Sequence, residues 1–355
     1  MPAVFRPTGS LKEARSEHTA TPLPNGRVLI AGGCGSDGRA LASAEIYNPD
    51  TGKFGATGAM TIERCGHTAT LLKDGRILMV GGTDARGRIL SSAELYDPKK
   101  GTFAATDSLA TARMNHTAIV LGSGQVLVAG GRVGPVMITN LAELYDPKTG
   151  KFSFVGPMGT PRTGAAAILL KDGRMLIAGG ETGAASGSVE ASAELYNPKS
   201  RAFGKTGSMT APRLNATMLM LASGQVLVVG GQSGSVVPVG TMESFDPKKG
   251  RFTESGNLAE ARVGSTAMLI KDGRLLVVGG QDAAHDTIAT AELCDLKTRT
   301  CKPVATMPEG RAGQTATLLA DGSVLLVGGV TGGQGDLKAA SSARLFLPWV
   351  ANPKP

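Results

Sequence analysis

Aromatic residues are scarce in this chain of 355 residues: they make up 4% of it, and only one is tryptophan. Most of the others recur at fixed places in a repeat. That leaves no spare rings on which nucleic-acid bases could stack, so a nucleic-acid partner is not expected despite a net charge of +8. Long apolar runs are also missing. None approaches the roughly 18–20 residues that cross a bilayer, which argues against a membrane span. Residues Met1–Ser10 lack the apolar core of a secretory signal. The chain is then either cytosolic or a mature form carrying a start methionine. No stretch shows helical periodicity. Histidine and cysteine number four each, too few for a metal-rich or disulfide-dense scaffold.

Glycine is abundant, at 50 residues, and it is periodic. A Gly-Gly pair falls at 32–33, 81–82, 130–131, 179–180, 230–231, 279–280 and 328–329, a spacing of 49 or 51 residues throughout. A period of that length running almost end to end is the signature of a repeat architecture. In the second unit, His67 to Lys73 reads as a short strand a. Asp74-Gly75 reads as a two-residue type I′ turn, and Arg76 to Val80 as strand b. Strand b is apolar at successive positions, as in Val28-Leu29-Ile30-Ala31, so both its faces should be buried. A loop leads to strand c, Ser92 to Tyr96. The turn Asp97-Pro-Lys-Lys-Gly101 leads to strand d, which starts at Thr102-Phe103 and ends near Leu109. Lysines of this turn, such as Lys99, Lys148 and Lys248, are read as a solvated rim.

Four antiparallel strands per unit and seven units predict an all-β fold, a seven-bladed β-propeller, in which closure leaves no open sheet edge. The expected blades are 16–60, 65–109, 114–158, 163–209, 214–258, 263–307 and 312–346 plus 3–9, forming a single domain. The last unit lacks a fourth strand. Phe5-Arg-Pro-Thr-Gly-Ser-Leu11 aligns with Phe54 to Met60, so the N-terminal segment should complete the final blade. Residues Trp349 to Pro355 read as a short tail.

A unit of Arg-x-x-His, Gly-Gly, Glu-Leu-Tyr-Asp-Pro and an aromatic in strand d resembles the kelch motif, most of all its variants in bacterial extracytoplasmic proteins. The usual strand-d tryptophan is phenylalanine here, at Phe5, Phe54, Phe103, Phe152, Phe203 and Phe252. The resemblance implies the propeller; kelch propellers serve as ligand platforms, scaffolds and occasionally enzymes. Relatives with copper-radical chemistry need a tyrosine crosslinked to cysteine and histidine ligands. All four tyrosines here occupy the strand-c position, so no copper or other cofactor is expected.

Cys294 and Cys301 take the two positions that carry facing aromatics in five other blades, which suggests a cross-strand disulfide and an oxidising compartment. Cys34 and Cys65 should lie on one face of adjacent blades, as either a second disulfide or free thiols. Arg15, Arg64, Arg113, Arg162, Arg213, Arg262 and Arg311 all precede strand a and should ring one face. Glu45, Glu94, Glu143, Glu194, Glu243 and Glu292 recur in strand c, where each should pair with a nearby arginine. The seventh member is Arg344. A sharper reading is that Arg344, with Arg311 or Arg15, holds an anion. His18, His67 and His116 share one position, filled elsewhere by Ala165, Ala216, Ser265 and Gln314. They are read as inter-blade packing, and no metal site is expected.

Positions that vary over the repeated scaffold are the candidate ligand contacts. After the Gly-Gly pairs these include Cys34, Thr83, Arg132, Glu181, Gln232, Gln281 and Val330. His285 lies in a variable loop, and Glu17, Asn115, Asn215 and Gln314 stand beside the arginines. The preferred expectation is a non-catalytic, extracytoplasmic, monomeric binding module that presents this Arg-ringed face to a protein or glycan. The alternatives are a carbohydrate-active enzyme on the same face, of the sugar mutarotase or lyase type, and a structural surface protein. Glu17, Glu181 and His285 are the acid–base candidates for the enzyme.

Overall fold

A computed structural model of the chain describes residues 2–183, 188–234, 237–333 and 335–348. Seven four-stranded antiparallel sheets form the blades. The first comprises Thr19–Pro22, Val28–Ala31, Ala44–Asn48 and Lys53–Ala56, which are its strands a to d. In the seventh, Thr315–Leu318, Val324–Val327 and Ala343–Leu347 are joined by Val4–Pro7 from the N-terminus. The register is Val4 to Leu347, Phe5 to Phe346 and Arg6 to Leu345. The ring is thus closed by pairing the two ends of the chain, as the Phe5–Leu11 alignment anticipates. The stretch Trp349–Pro355 lies outside the described residues. No helix among the described residues is long and apolar enough to cross a membrane.

Every strand b is buried along its whole length, from Val28–Ala31 to Val324–Val327. It contributes to two interfaces at once, because alternate side chains face opposite neighbours. Leu29 and Ala31 of the first blade pack against Ile77, Met79 and Tyr96 of the second, and the remaining interfaces repeat this pattern. Tyrosine and phenylalanine meet across strands c and d at 4.7–4.9 Å between ring centres in four blades. In the sixth blade Cys294 stands opposite Cys301 in register, and the two form the expected disulfide. Cys34 and Cys65 form a second one, leaving no free cysteine.

The a–b turn differs from expectation. A type I′ turn needs positive φ at both central residues, yet only the glycine has it, with Gly75 at 89°. Gly75 N–H donates to Leu72 O, and Leu72 N–H to Arg76 O. The Asp74 carboxylate accepts from Arg76 N–H. This is a three-residue loop, a type I turn closed by a left-handed glycine, and the aspartate acts through its side chain rather than through its own backbone angle. Two further ribbons, Gln232–Ser233 with Val237–Pro238 and Val330–Thr331 with Lys338–Ala339, project from the b–c loops of blades five and seven.

The Cys294–Cys301 disulfide closes a loop of sequence separation seven. Chain-entropy arithmetic for so short a loop gives about 2 kcal/mol. Replacing both cysteines by serine should lower the unfolding midpoint accordingly. Replacing them by the Tyr–Phe pair of the neighbouring blades should recover most of that loss, measured by denaturant titration.

Candidate active site

The Gly-Gly pairs are where neighbouring blades touch. Both glycines of each pair have positive φ. A Cβ at Gly81 would stand 2.3 Å from Arg113 O of the next blade, and one at Gly33 would stand 2.5 Å from Ser16 O. No larger residue fits there. The arginines are set by the same contact. Arg113 Nη1 donates to Gly130 O and Leu141 O, both at 2.8 Å, and its Nη2 pairs with Glu143 at 3.0 Å. Six blades repeat this arrangement, with Arg–Glu separations of 2.6–3.4 Å. The carboxylate also accepts backbone N–H groups, as Glu243 does from Thr210 and Ala211. All seven arginines are buried to 1% exposure or less. In six blades they fasten strand a to strands b and c, whereas the Arg311 side chain, among the described residues, bonds only to Ser342 beside strand c. The expectation that Arg15, Arg64, Arg113, Arg162, Arg213 and Arg262 meet a ligand is therefore corrected, because each is buried on a glutamate of its own blade. Arg311 is as deeply buried, so it does not present its side chain at the face either, but it has no such partner among the described residues.

What does surround the opening is the residue two places after each arginine: Glu17, Gly66, Asn115, Gly164, Asn215, Gly264 and Gly313. All seven have φ between 51° and 65°. Their backbones hydrogen-bond head to tail around the channel. Asn115 N–H donates to Gly66 O, Gly164 N–H to Asn115 O and Asn215 N–H to Gly164 O, at 2.9–3.1 Å. Gly66 also donates to Glu17 O, and Gly313 to Gly264 O. Among the described residues the chain of bonds is broken at two joints, Asn215 to Gly264 and Gly313 to Glu17. The Glu17 N–H thus has no acceptor among the described residues.

A cavity of about 450 Å³ opens over this ring, lined by Glu17, Asn115, Asn215 and, below them, His18, His67 and His116. The histidines are pins between blades. Nε2 of His18, His67 and His116 bonds to Thr315, Thr19 and Thr68 of the preceding blade at 2.9–3.2 Å. Gln314 takes the same place and donates to Val278 O and Thr266 Oγ1. Burial, with the nearby arginine charge, pushes each histidine pKa down to about 3 and keeps the ring neutral.

Glu17 is the one carboxylate that lines this cavity. Its tip reaches solvent, but the surrounding walls exclude enough water that burial raises its pKa. Its Oε2 lies 3.3 Å from Cys65 Sγ, and the carboxylate and the two sulfurs of Cys34 and Cys65 fall within 4.8 Å of one another. A second such cluster, Glu292 with Cys294 and Cys301, is buried in the sixth blade. In both, the sulfurs are bonded to each other.

The other expected contacts lie further out, on the b–c loops. Arg132 and Glu181 pair with each other at 3.0 Å. Gln281 donates to His285 O, and His285 itself has a φ of 65° in a tight turn closed on Asp282. Gln232 sits in the ribbon of blade five. Arg344 is in strand c of blade seven, away from the opening. A larger cavity, about 640 Å³, is on the opposite face among the a–b and c–d turns. Burial there pulls Asp74 upward, but hydrogen bonds from the Arg76 side chain and backbone outweigh it and hold the carboxyl below its ordinary value. Such an ion-paired turn has no proton to exchange near neutrality.

The architecture is that of a seven-bladed β-propeller. The Kelch motif matches residues 18–54, 64–105 and 113–159. No curated protein matches the sequence. Among solved structures, a fungal alcohol oxidase of the AA5 family in complex with copper superposes with a TM-score of 0.77 at 19% identity, over 97% of this chain and 75% of that one. The structure of YjhT superposes with a TM-score of 0.65 at 15% identity, over 83% of this chain and 98% of that one. A fold that carries catalysis in the oxidase, and a carboxylate–cysteine cluster at the mouth here, overturn the expectation of a non-catalytic binding module and of a chain preferentially read as no enzyme. The carbohydrate-active alternative is the one carried forward.

Copper itself does not fit the described residues. Tyr47, Tyr96 and Tyr145 are fully buried in strand c and bonded to Thr8, Thr57 and Thr106 at 2.8–2.9 Å. His18, His67 and His116 are engaged between blades, His285 lies apart in a b–c loop, and the nearby sulfurs are joined in a disulfide.

Proposed function

We propose that this protein is an enzyme that moves a proton on a carbohydrate-type substrate seated over the channel mouth, with Glu17 as the acid–base group. One observation carries the reading. Six of the seven ring positions hold glycine or asparagine, the residues that tolerate a left-handed backbone. The seventh holds glutamate at a φ of 51°. A strained residue kept at the opening of a cavity points to use rather than to packing. The raised pKa of Glu17 brings its two protonation states closer to the working range of a general acid–base. Asn115 and Asn215 supply amide donors and acceptors for hydroxyl groups across the same cavity.

Anomer interconversion suits one carboxylate without a cofactor. The carboxylate takes the proton of the anomeric hydroxyl while water gives one to the ring oxygen and the bond from the anomeric carbon to the ring oxygen breaks. After the carbonyl group rotates, the same steps in reverse re-form that bond on the other face and return both protons, so charge and atoms balance over the cycle. A lyase, which abstracts a carbon-bound proton, is the second reaction of this class. Kelch variants of bacterial extracytoplasmic proteins remain the group whose motif this chain looks most like, and two disulfides suit an oxidising compartment.

The test is a panel of reducing sugars, uronic and other acidic sugars included, followed by NMR exchange for anomerisation and by absorbance for unsaturated products. Glu17→Asn copies blades three and five. It should leave the fold intact, raise stability by about 1 kcal/mol through relief of strain, and lower turnover by about 10²–10⁴-fold. Turnover undiminished in Glu17→Asn removes Glu17 from the reaction; no turnover of any sugar by the parent removes the reading itself.

A further inference from the structure

Blade seven breaks the charge pattern of the other six. Arg344 occupies the place of the strand-c glutamate: it stands opposite Leu326, as Glu243 stands opposite Val228 and Glu292 opposite Val277. Arg311, 1% exposed, consequently has no carboxylate within ion-pair distance among the described residues. It makes two hydrogen bonds, to Ser342 O and Oγ, where Arg213 makes five. Its Nε is buried without a partner, and so is that of Arg344. Arg15 and Arg162 share an orphaned Nε, but each has a glutamate at its Nη2. Burial, with the Arg344 charge second, lowers the Arg311 pKa.

The backbone has changed alongside the side chain. In blade five the glutamate accepts N–H groups from Thr210 and Ala211; in blade six, from Ala259 and Glu260. The corresponding pair in blade seven is Pro308 and Glu309. Proline has no N–H to satisfy, and Glu309 N–H donates to no acceptor among the described residues. Among the described residues no carboxylate therefore takes the place that six blades give it, and Arg311, with the Arg344 charge close enough to act on it, and the Glu309 amide are left without that acceptor.

We propose that the position between Arg311 and Arg344 binds a small oxyanion, a carboxylate, sulfate or phosphate, which supplies from solution the acceptor that the chain supplies elsewhere. A buried cation beside a half-buried one, with no ion-paired carboxylate among the described residues, is costly, and guanidinium forks match planar or tetrahedral oxyanions through paired hydrogen bonds. The site is separate from the channel mouth. Its one internal competitor is Glu309, two residues before Arg311. The matching Glu13 and Glu260 reach their arginines at 3.6 and 3.0 Å, whereas Glu309 makes no ion pair.

Calorimetric titration of the full chain with sodium sulfate, phosphate and acetate, each against chloride at matched ionic strength, tests this. One equivalent should bind, and the melting temperature should rise with the anion that binds best, which separates inorganic oxyanions from carboxylates. Arg344→Met should weaken binding at least tenfold. Arg344→Glu, which restores the pattern of the other blades, should abolish it and raise the melting temperature in chloride. Glu309→Gln should bind as the parent does or more tightly. The proposal falls if the parent binds none of the three, if Arg344→Met binds as well as the parent, or if binding appears only in Glu309→Gln, in which case Glu309 already fills the position.

Discussion

Stability should fall steeply as the pH drops below about 6.5, and three histidines should account for most of the slope above the carboxylate range. His18, His67 and His116 are held neutral, with pKa values pushed from 6.5 to about 3 by burial and by the arginine beside each. Between those values the unfolded chain takes up a proton at each histidine and the folded chain does not. The unfolded state then binds more protons, so stability rises with pH across this window and is lost on acidification. One excluded proton is worth about 1.4 kcal/mol per pH unit; three acting together give about 4 kcal/mol per unit. Denaturant titrations at pH 7 and pH 5 measure this directly. Ala165 and Ala216 occupy the same place in blades four and five, so His18→Ala, His67→Ala and His116→Ala together should still fold. That variant should lose about 1 kcal/mol per hydrogen bond at pH 7, and most of the pH dependence. Equal slopes in parent and variant would show that the buried histidines do not control acid stability.

The same three residues show how far the sequence could be read. Their shared register and replacement by Ala, Ser and Gln elsewhere already suggest packing, and His67 Nε2 bonded to Thr19 of the preceding blade is that packing. Closure of the ring by residues 4–7 was legible too, because Phe5 aligns with Phe54, and both meet an aromatic of strand c. The arginine ring was legible as a register but not as a depth. Periodicity locates Arg113 beside the channel; it does not reveal that Gly130 O and Leu141 O turn the guanidinium inward.

The mouth was only half legible. Glu17, Asn115 and Asn215 stand out as polar variables, but their common backbone geometry does not. A signal was present: glycine or asparagine recurs two residues after six of the seven arginines, which is what a left-handed position selects. The exception, Glu17, is then the informative residue. The Asp-Gly turns misled in the opposite way. The pair Asp74-Gly75 predicts a left-handed backbone at both residues because type I′ hairpins favour it, whereas the Asp74 carboxylate capping Arg76 N–H satisfies a type I turn equally well.

Glu243→Gln should be among the most damaging single changes in the molecule. Glu243 is fully buried and accepts from Arg213 Nη2 at 2.9 Å, from Arg213 Nε at 3.3 Å and from two backbone N–H groups. Glutamine keeps the shape but removes the charge, leaving the Arg213 guanidinium buried without a counter-ion. Breaking a buried pair from one side costs about 3–5 kcal/mol, mostly the penalty for the stranded charge. Glu254→Gln, on an exposed position of the same blade, should stay within about 0.5 kcal/mol of the parent. The contrast with blade seven makes the argument sharper. There the chain dispenses with the glutamate, but one backbone donor has become Pro308, and Arg311 falls back on the Ser342 carbonyl and hydroxyl. Blade five has neither adjustment, so its donors have nowhere else to turn. If the midpoints of Glu243→Gln and Glu254→Gln coincide, the Arg–Glu pairs contribute register alone, and the cohesion of each blade rests on strand b and its apolar neighbours.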